Sequence, residues 1–240
     1  MKLLFIRHAD PDYTLDSLTN TGWKEAELLA ARLSSDGVKA FYVSPLGRAR
    51  DTASVTLDRM DREAEILPWL REFSATIVRD GVETIAWDWL PAEWTRIPEF
   101  YDRNLWHTVP VMKKGNVFEE YSKVTGGLDD ILGEHGYERD GEIYRAVRAN
   151  NDTLVFFCHF GVECVMLAHL LGISPMVLWH GFCAAPASVT TLITEERREG
   201  AAAFRAISLG DTSHLFAAGM KPSFSARFCE TYGNADERHD

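Results

Sequence analysis

The sequence lacks the runs and pairings that define several large classes of protein. No stretch approaches the ~18 consecutive apolar residues that a membrane-spanning helix needs. The apolar opening at residues 3–6 is cut off by Arg7 and is too short for the hydrophobic centre of a signal peptide. A cytoplasmic protein with no membrane partner is therefore expected. Cysteine is scarce: Cys158, Cys164, Cys183 and Cys229 form no CxxC pair, which argues against a zinc site. Cys158 and Cys164 read as buried free thiols. Positive charge is in deficit, with 25 Lys and Arg against 36 Asp and Glu, a net charge of -11. Such a surface repels nucleic acid and anionic lipid. An anionic small molecule would need a local cluster of Arg and His to bind. Internal repeats and low-complexity tracts are absent as well.

What is present is an ordinary globular balance. The 240 residues are 46% hydrophobic and 25% charged, enough to bury one sizeable core. We expect a single domain over residues 1–240. Residues 2–7, KLLFIR, read as a short buried strand. Thr19 is a candidate N-cap, and Trp23, Ala26, Leu29, Ala30 and Leu33 recur at helical spacing up to a stop at Gly37. Residues 41–43 form a second strand. Ser44 and Pro45 suit the cap and first position of a second helix. This β-α-β-α opening favours an α/β fold with a mainly parallel sheet.

The middle of the chain breaks that rhythm. Residues 73–127 hold Trp87, Trp89, Trp94 and Trp106, and their periodicity is weak. They read as an inserted segment with a helix over 82–89. The tryptophans would form either a lid over a ligand or a small core of their own. An interrupted helical region follows at 128–147. Residues 153–158, TLVFFC, give the clearest strand. A helix over 161–171 is closed by Gly172. Residues 188–193 and 204–209 are further strands, and the polar tail after Tyr232 reads as frayed.

Two histidines stand at comparable places: His8 follows KLLFIR, and His159 follows TLVFFC. In a parallel α/β sheet, residues at the carboxyl ends of strands line the ligand crevice. Arg7 adjoins His8, and Arg48 lies in the first turns of the helix after residues 41–43. Two arginines and two histidines would then surround one space, a composition suited to a phosphoryl group.

These residues sit in a recognisable order. RHAD at 7–10 resembles the RHG signature of the histidine phosphatase superfamily, branch 1, whose fold is phosphoglycerate mutase-like. SLTNTGWKEAELLAARL at 17–33, SPLGRARDTA at 44–53, CHFGV at 158–162 and GDTSHL at 210–215 resemble the family's other elements in family order. The resemblance implies a three-layer α/β/α fold and a phosphatase acting on a small phosphorylated metabolite. It implies His8 as the nucleophile that forms a phosphohistidine, with Arg7, Arg48 and His159 holding the phosphoryl oxygens. His8 must be neutral to attack, so one ring nitrogen should donate to a carbonyl while the other faces the substrate. A general acid must protonate the leaving oxygen. The family's "L.E" setting matches LREF at 70–73 and points to Glu72, with Glu65 and Asp10 as the next candidates.

No cofactor and no metal is expected, because the arginines supply the positive charge. Arg50 reads as a surface residue and His214 as a structural one. His107, His135, His169, His180 and His239 belong to no constellation. Ala9 stands where the family has Gly, and Phe160 follows the second histidine where Gly is commoner. Phosphoglycerate mutases carry Trp-Asn soon after RHG, whereas this chain reads PDYTLD. That departure weighs against a mutase-type isomerase. A second alternative is a non-catalytic phospholigand-binding protein, against which the joint retention of Arg7, His8, Arg48 and His159 weighs. The oligomeric state stays open, a homo-oligomer included.

Overall fold

A computed structural model describes residues 1–228 and 230–238, the side chains of 235–238 excepted. Cys229 and His239 lie outside the described residues. At its centre is an eight-stranded sheet. In chain order its strands are β1 (Lys2–Arg7), β2 (Val38–Val43), β3 (Glu65–Ile66), β4 (Tyr137–Asp140), β5 (Ile143–Ala146), β6 (Thr153–Cys158), β7 (Val189–Arg198) and β8 (Ala201–Asp211). Across the sheet they run β3-β2-β6-β1-β7-β8-β5-β4. The first four are mutually parallel. Every pairing beyond β1 is antiparallel, so β8 and β4 turn back to the direction of β1. Six of the eight strands thus point one way, and the sheet is mainly parallel in direction.

Side chains alternate across the sheet, and that alternation builds three layers. Leu4 and Ile6 of β1, with Val155 and Phe157 of β6, pack against Leu29 and Leu33 of α1 (Asn20–Leu33) and Ala53 of α2 (Gly47–Met60). Leu3 and Phe5, with Leu154 and Phe156, face the other way. They meet Leu128 of α3 (Val117–Glu134), Val165 of α4 (Phe160–Leu171) and Leu178 of α5 (Pro175–Gly181). Both faces are covered, which is why β1 and β6 are continuous apolar runs. Trp94 and Trp106 join this second core layer, so they are not a separate core of the inserted segment. Among the described residues, no helix is long and apolar enough to cross a membrane.

Several local expectations need correction. Residues 82–89 are not a helix: Val82–Ile85 is a strand paired with Thr76–Arg79. Asp80 and Gly81 between them have φ of 50° and 80°, the left-handed pair of a tight hairpin. Residues 128–147 divide differently too. Helix α3 starts at Val117, and β4 and β5 form a hairpin where more helix was expected. The first helix is capped by Thr19, whose hydroxyl accepts the Gly22 N–H at 3.0 Å, but it ends at Ser34 and not at Gly37. Trp23 is 38% exposed, and Glu25 takes a buried place on that helix instead. Past Tyr232, Asn234–Arg238 pairs with Glu230–Thr231 as a hairpin.

Candidate active site

The sheet register brings the two histidines together. Arg7 pairs with Cys158 across the parallel strands β1 and β6, so the next residues, His8 and His159, emerge side by side. Their ring centroids are 5.0 Å apart with planes at 59°. Strand β2 ends in register, and Ser44 N–H continues the ladder to Phe157 O at 3.0 Å. Helix α2 then starts at Gly47, with Leu46 as its cap residue. The expected role of Ser44 as a cap is therefore not filled. Its hydroxyl bonds His159 Nε2 at 2.7 Å and accepts the Leu46 N–H, ahead of the helix, at 3.3 Å.

The state of His8 follows from its neighbours. Nδ1 lies 2.8 Å from Ala9 O, a group that can only accept, so Nδ1 carries the proton. Nε2 accepts from Arg48 Nε at 3.3 Å, so it keeps a lone pair. Burial holds the His8 pKa well below 6.5, Arg7 pushes it the same way, and Arg48 adds to this. The ring is neutral at physiological pH. Ala9 N–H donates to Thr52 Oγ1 at 3.0 Å, which fixes the backbone that orients the ring. His159 is fully buried, and its pKa too is well below 6.5, through burial and then through His8 and Arg48. Its Nδ1 has no hydrogen-bonding partner.

Arg48 is steered by Asp16, whose carboxylate accepts Arg48 Nη1 at 2.6 Å and Gly47 N–H at 2.7 Å. A negative charge at the start of α2 suits the helix dipole. Gly47 is required there, because a Cβ would run into Asp16 O. Arg7 is 1% exposed and spends its donors on carbonyls. Nη1 reaches Ala184 O at 2.5 Å and Ala226 O at 3.3 Å, and Nη2 reaches Ser225 O at 2.7 Å. Two of those acceptors belong to the C-terminal segment at 223–228. That segment is anchored by Ser223 N–H to Glu25 Oε1 at 3.0 Å and by Ser225 Oγ to Asp10 Oδ1 at 3.1 Å.

Glu72 joins this group from a loop. Its Oε1 accepts Phe73 N–H at 2.8 Å and Val162 N–H at 3.2 Å. Burial raises its pKa above 4.5, partly offset by the Phe73 N–H and by Arg7. A carboxyl so placed can hold a proton and release it. The other proposed acids lie elsewhere. Glu65 is exposed on the edge strand β3. Asp10 is occupied by Thr19 Oγ1 at 2.7 Å and by Ser225. Arg50 is exposed on α2, and His214 pairs with Arg32 at 3.3 Å beside Asp211. Among the described residues, no cluster of three or more His, Cys, Asp or Glu is arranged to hold a metal ion.

Sequence reasoning passed over Ser44, Asp16, Thr52 and Glu163. The first three carry ordinary turn and helix signals that hide a supporting role. Glu163, in the first turn of α4, is 2% exposed with Oε2 unpartnered, and burial pushes its pKa up to about 7. In an unfolded chain its pKa is near 4.5, so the folded state binds the extra proton between pH 4.5 and pH 7. Stability from this group falls as pH rises through that window and levels off above it. Glu163→Gln should therefore stabilise the protein by about 3 kcal/mol at pH 8. Urea unfolding at pH 8 and pH 5 should show the gain shrinking at the lower pH. A gain that does not change with pH would contradict this reading.

Residues 3–206 match the family described as the histidine phosphatase superfamily (branch 1). The chain is 26% identical over 214 residues to phosphoserine phosphatase 1 of Hydrogenobacter thermophilus, covering 82% of this chain and 89% of that protein. Its fold is similar to that of the Entamoeba histolytica phosphoserine phosphatase in complex with phosphoserine. There the TM-score is 0.61 at 20% identity, over 89% of this chain and 98% of that one. A mycobacterial glucosyl-3-phosphoglycerate phosphatase in complex with VO3 gives a TM-score of 0.57 at 19% identity, over 88% and 99%. The matched span includes Arg7, His8, Arg48, Glu72 and His159. This chain belongs to branch 1 of the histidine phosphatase superfamily.

Proposed function

We propose that the chain hydrolyses a small phosphomonoester through a phosphohistidine on His8. One observation carries the reading: His8 is held neutral by the Ala9 carbonyl, with its Nε2 lone pair directed at Arg48 and beside His159. In the first step Nε2 attacks phosphorus, and the bond to the alcohol oxygen breaks. Glu72 gives that oxygen its proton. In the second step the Glu72 carboxylate takes a proton from water, whose oxygen attacks the phosphohistidine. Phosphate leaves and His8 is restored. Arg7, Arg48 and the free Nδ1 of His159 stabilise the charge on the transferring oxygens. For Arg7 to do so, the phosphoryl group must take over donors now held by the carbonyls of Ser225 and Ala226. The domain is read as a single unit over residues 1–240, with the segment at about 73–127 inserted into it.

A mutase-type isomerase would use the same phosphohistidine. The PDYTLD sequence after His8 lacks the Trp-Asn of mutases and favours hydrolysis. Incubation with phosphoglycerate separates the two, because hydrolysis releases inorganic phosphate and isomerisation does not. The helix face offers a second test. Arg48→Ala should lower turnover on the order of 10²-fold, the usual loss when a donor to transferring oxygens is removed. Arg50→Ala, two residues on and exposed, should stay close to wild type. Steady-state rates on one phosphoester decide it, and equal losses would refute the assignment.

A further inference from the structure

The mechanism leaves the alcohol half of the substrate without a seat. A cavity of about 560 Å³ lies one side chain from Glu72, on the far side of Trp87, walled by the rings of Trp87, Trp89, Trp179, Phe182 and Phe228, by Leu90, and by charged Asp88, Arg227 and Glu230. Two contacts and one chain neighbour tie it to the reaction centre. A Cβ on Gly161 would meet Glu72 Oε1 at 2.6 Å and Trp87 Nε1 at 2.8 Å, so carboxyl and indole lie over the same backbone atom. Trp179 Nε1 donates to Gly161 O at 3.0 Å. Cys183, also on the wall, precedes Ala184, whose carbonyl accepts from Arg7.

Position and composition together identify an occupant. An acid at Glu72 requires the ester oxygen within hydrogen-bond reach, so the alcohol must project to this side. We propose that this cavity is the leaving-group subsite, and that the alcohol released carries an aromatic or heteroaromatic ring. The inference rests on Glu72 as the acid of the phosphatase reading. A serine-sized alcohol would leave most of the space to water. A flat ring gains edge-on and offset contacts with the indoles. The walls are set in advance: Trp87 Nε1 donates to Phe73 O at 2.8 Å, and Trp89 Nε1 donates to Ala86 O at 2.9 Å. Pre-set rings lose little freedom on binding. Arg227, Phe228 and Glu230 bring the C-terminal segment into the wall, while Trp87, Trp89, Leu90, Trp179 and Phe182 come from the body of the domain.

The test compares benzyl and naphthylmethyl phosphate with phosphoserine and glycerol phosphate. All four are alkyl esters, so differences in leaving-group acidity are kept small. The ring-bearing esters should be favoured by about tenfold or more in kcat/KM. Phe182 and Leu90 are 43% and 65% exposed, so their replacement spares the fold. Phe182→Ala and Leu90→Ala should each cut the ring-over-serine preference by about fivefold. Equal kcat/KM for all four esters would overturn the subsite while leaving the phosphatase reading intact. So would a preference that survives both substitutions. Turnover of none of the four, with no phosphoenzyme formed, would overturn the phosphatase reading and the subsite with it.

Discussion

His8→Ala should lower phosphomonoester hydrolysis on the order of 10⁴-fold or more, the scale seen when an enzyme loses its covalent nucleophile. The loss should fall on the chemical step. Arg7, Arg48 and His159 remain, so the folded variant should still bind phosphate or vanadate. Circular dichroism would check the fold, and calorimetric titration with vanadate would check the pocket. A variant that keeps more than a small fraction of wild-type turnover would remove His8 from the nucleophile role. The size of the effect rests on one geometric fact. His8 holds its Nδ1 proton on Ala9 O and keeps an Nε2 lone pair beside Arg48 Nε.

Glu72→Gln should fail in a different way. The amide can still accept the Phe73 and Val162 N–H groups, so the loop should hold its place. It can neither give up a proton to the leaving alcohol nor take one from water. With an alkyl ester, turnover should fall by about 10²- to 10⁴-fold, the usual contribution of a general acid or base. With a good leaving group such as p-nitrophenolate, the first step needs little protonation and should survive better than the second. A burst of nitrophenolate followed by slow turnover is the expected trace. Wild-type rates on alkyl esters would place the acid elsewhere.

Much of this arrangement was legible in the sequence because apolar runs ended by chemistry-bearing residues are hard to misread. KLLFIR and TLVFFC form β1 and β6 with the expected bounds, and the parallel register places His8 beside His159. What escaped was decided by contacts distant in sequence. Ser44 reads as a cap, yet its hydroxyl goes to His159, 115 residues away. Glu25 looks like a surface residue of an amphipathic helix. It is buried because it accepts N–H groups from Asp10 and from Ser223 near the other end of the chain. The helix expected at 82–89 failed on turn chemistry, because Asp80-Gly81 is a hairpin signal that outweighs the apolar spacing after it. Trp87 and Trp89 line the cavity while Trp94 and Trp106 join the core, a division that spacing alone could not make.

The central claim is that the phosphoryl group passes through His8. The most direct measurement is rapid quenching of Glu72→Gln during turnover of p-nitrophenyl phosphate, followed by peptide mapping by mass spectrometry under conditions that spare phosphohistidine. The account predicts one phosphoryl group per chain, acid-labile and located on His8. An adduct on His159 or any other residue would contradict it. So would steady turnover at a rate that leaves no phosphoenzyme at any time.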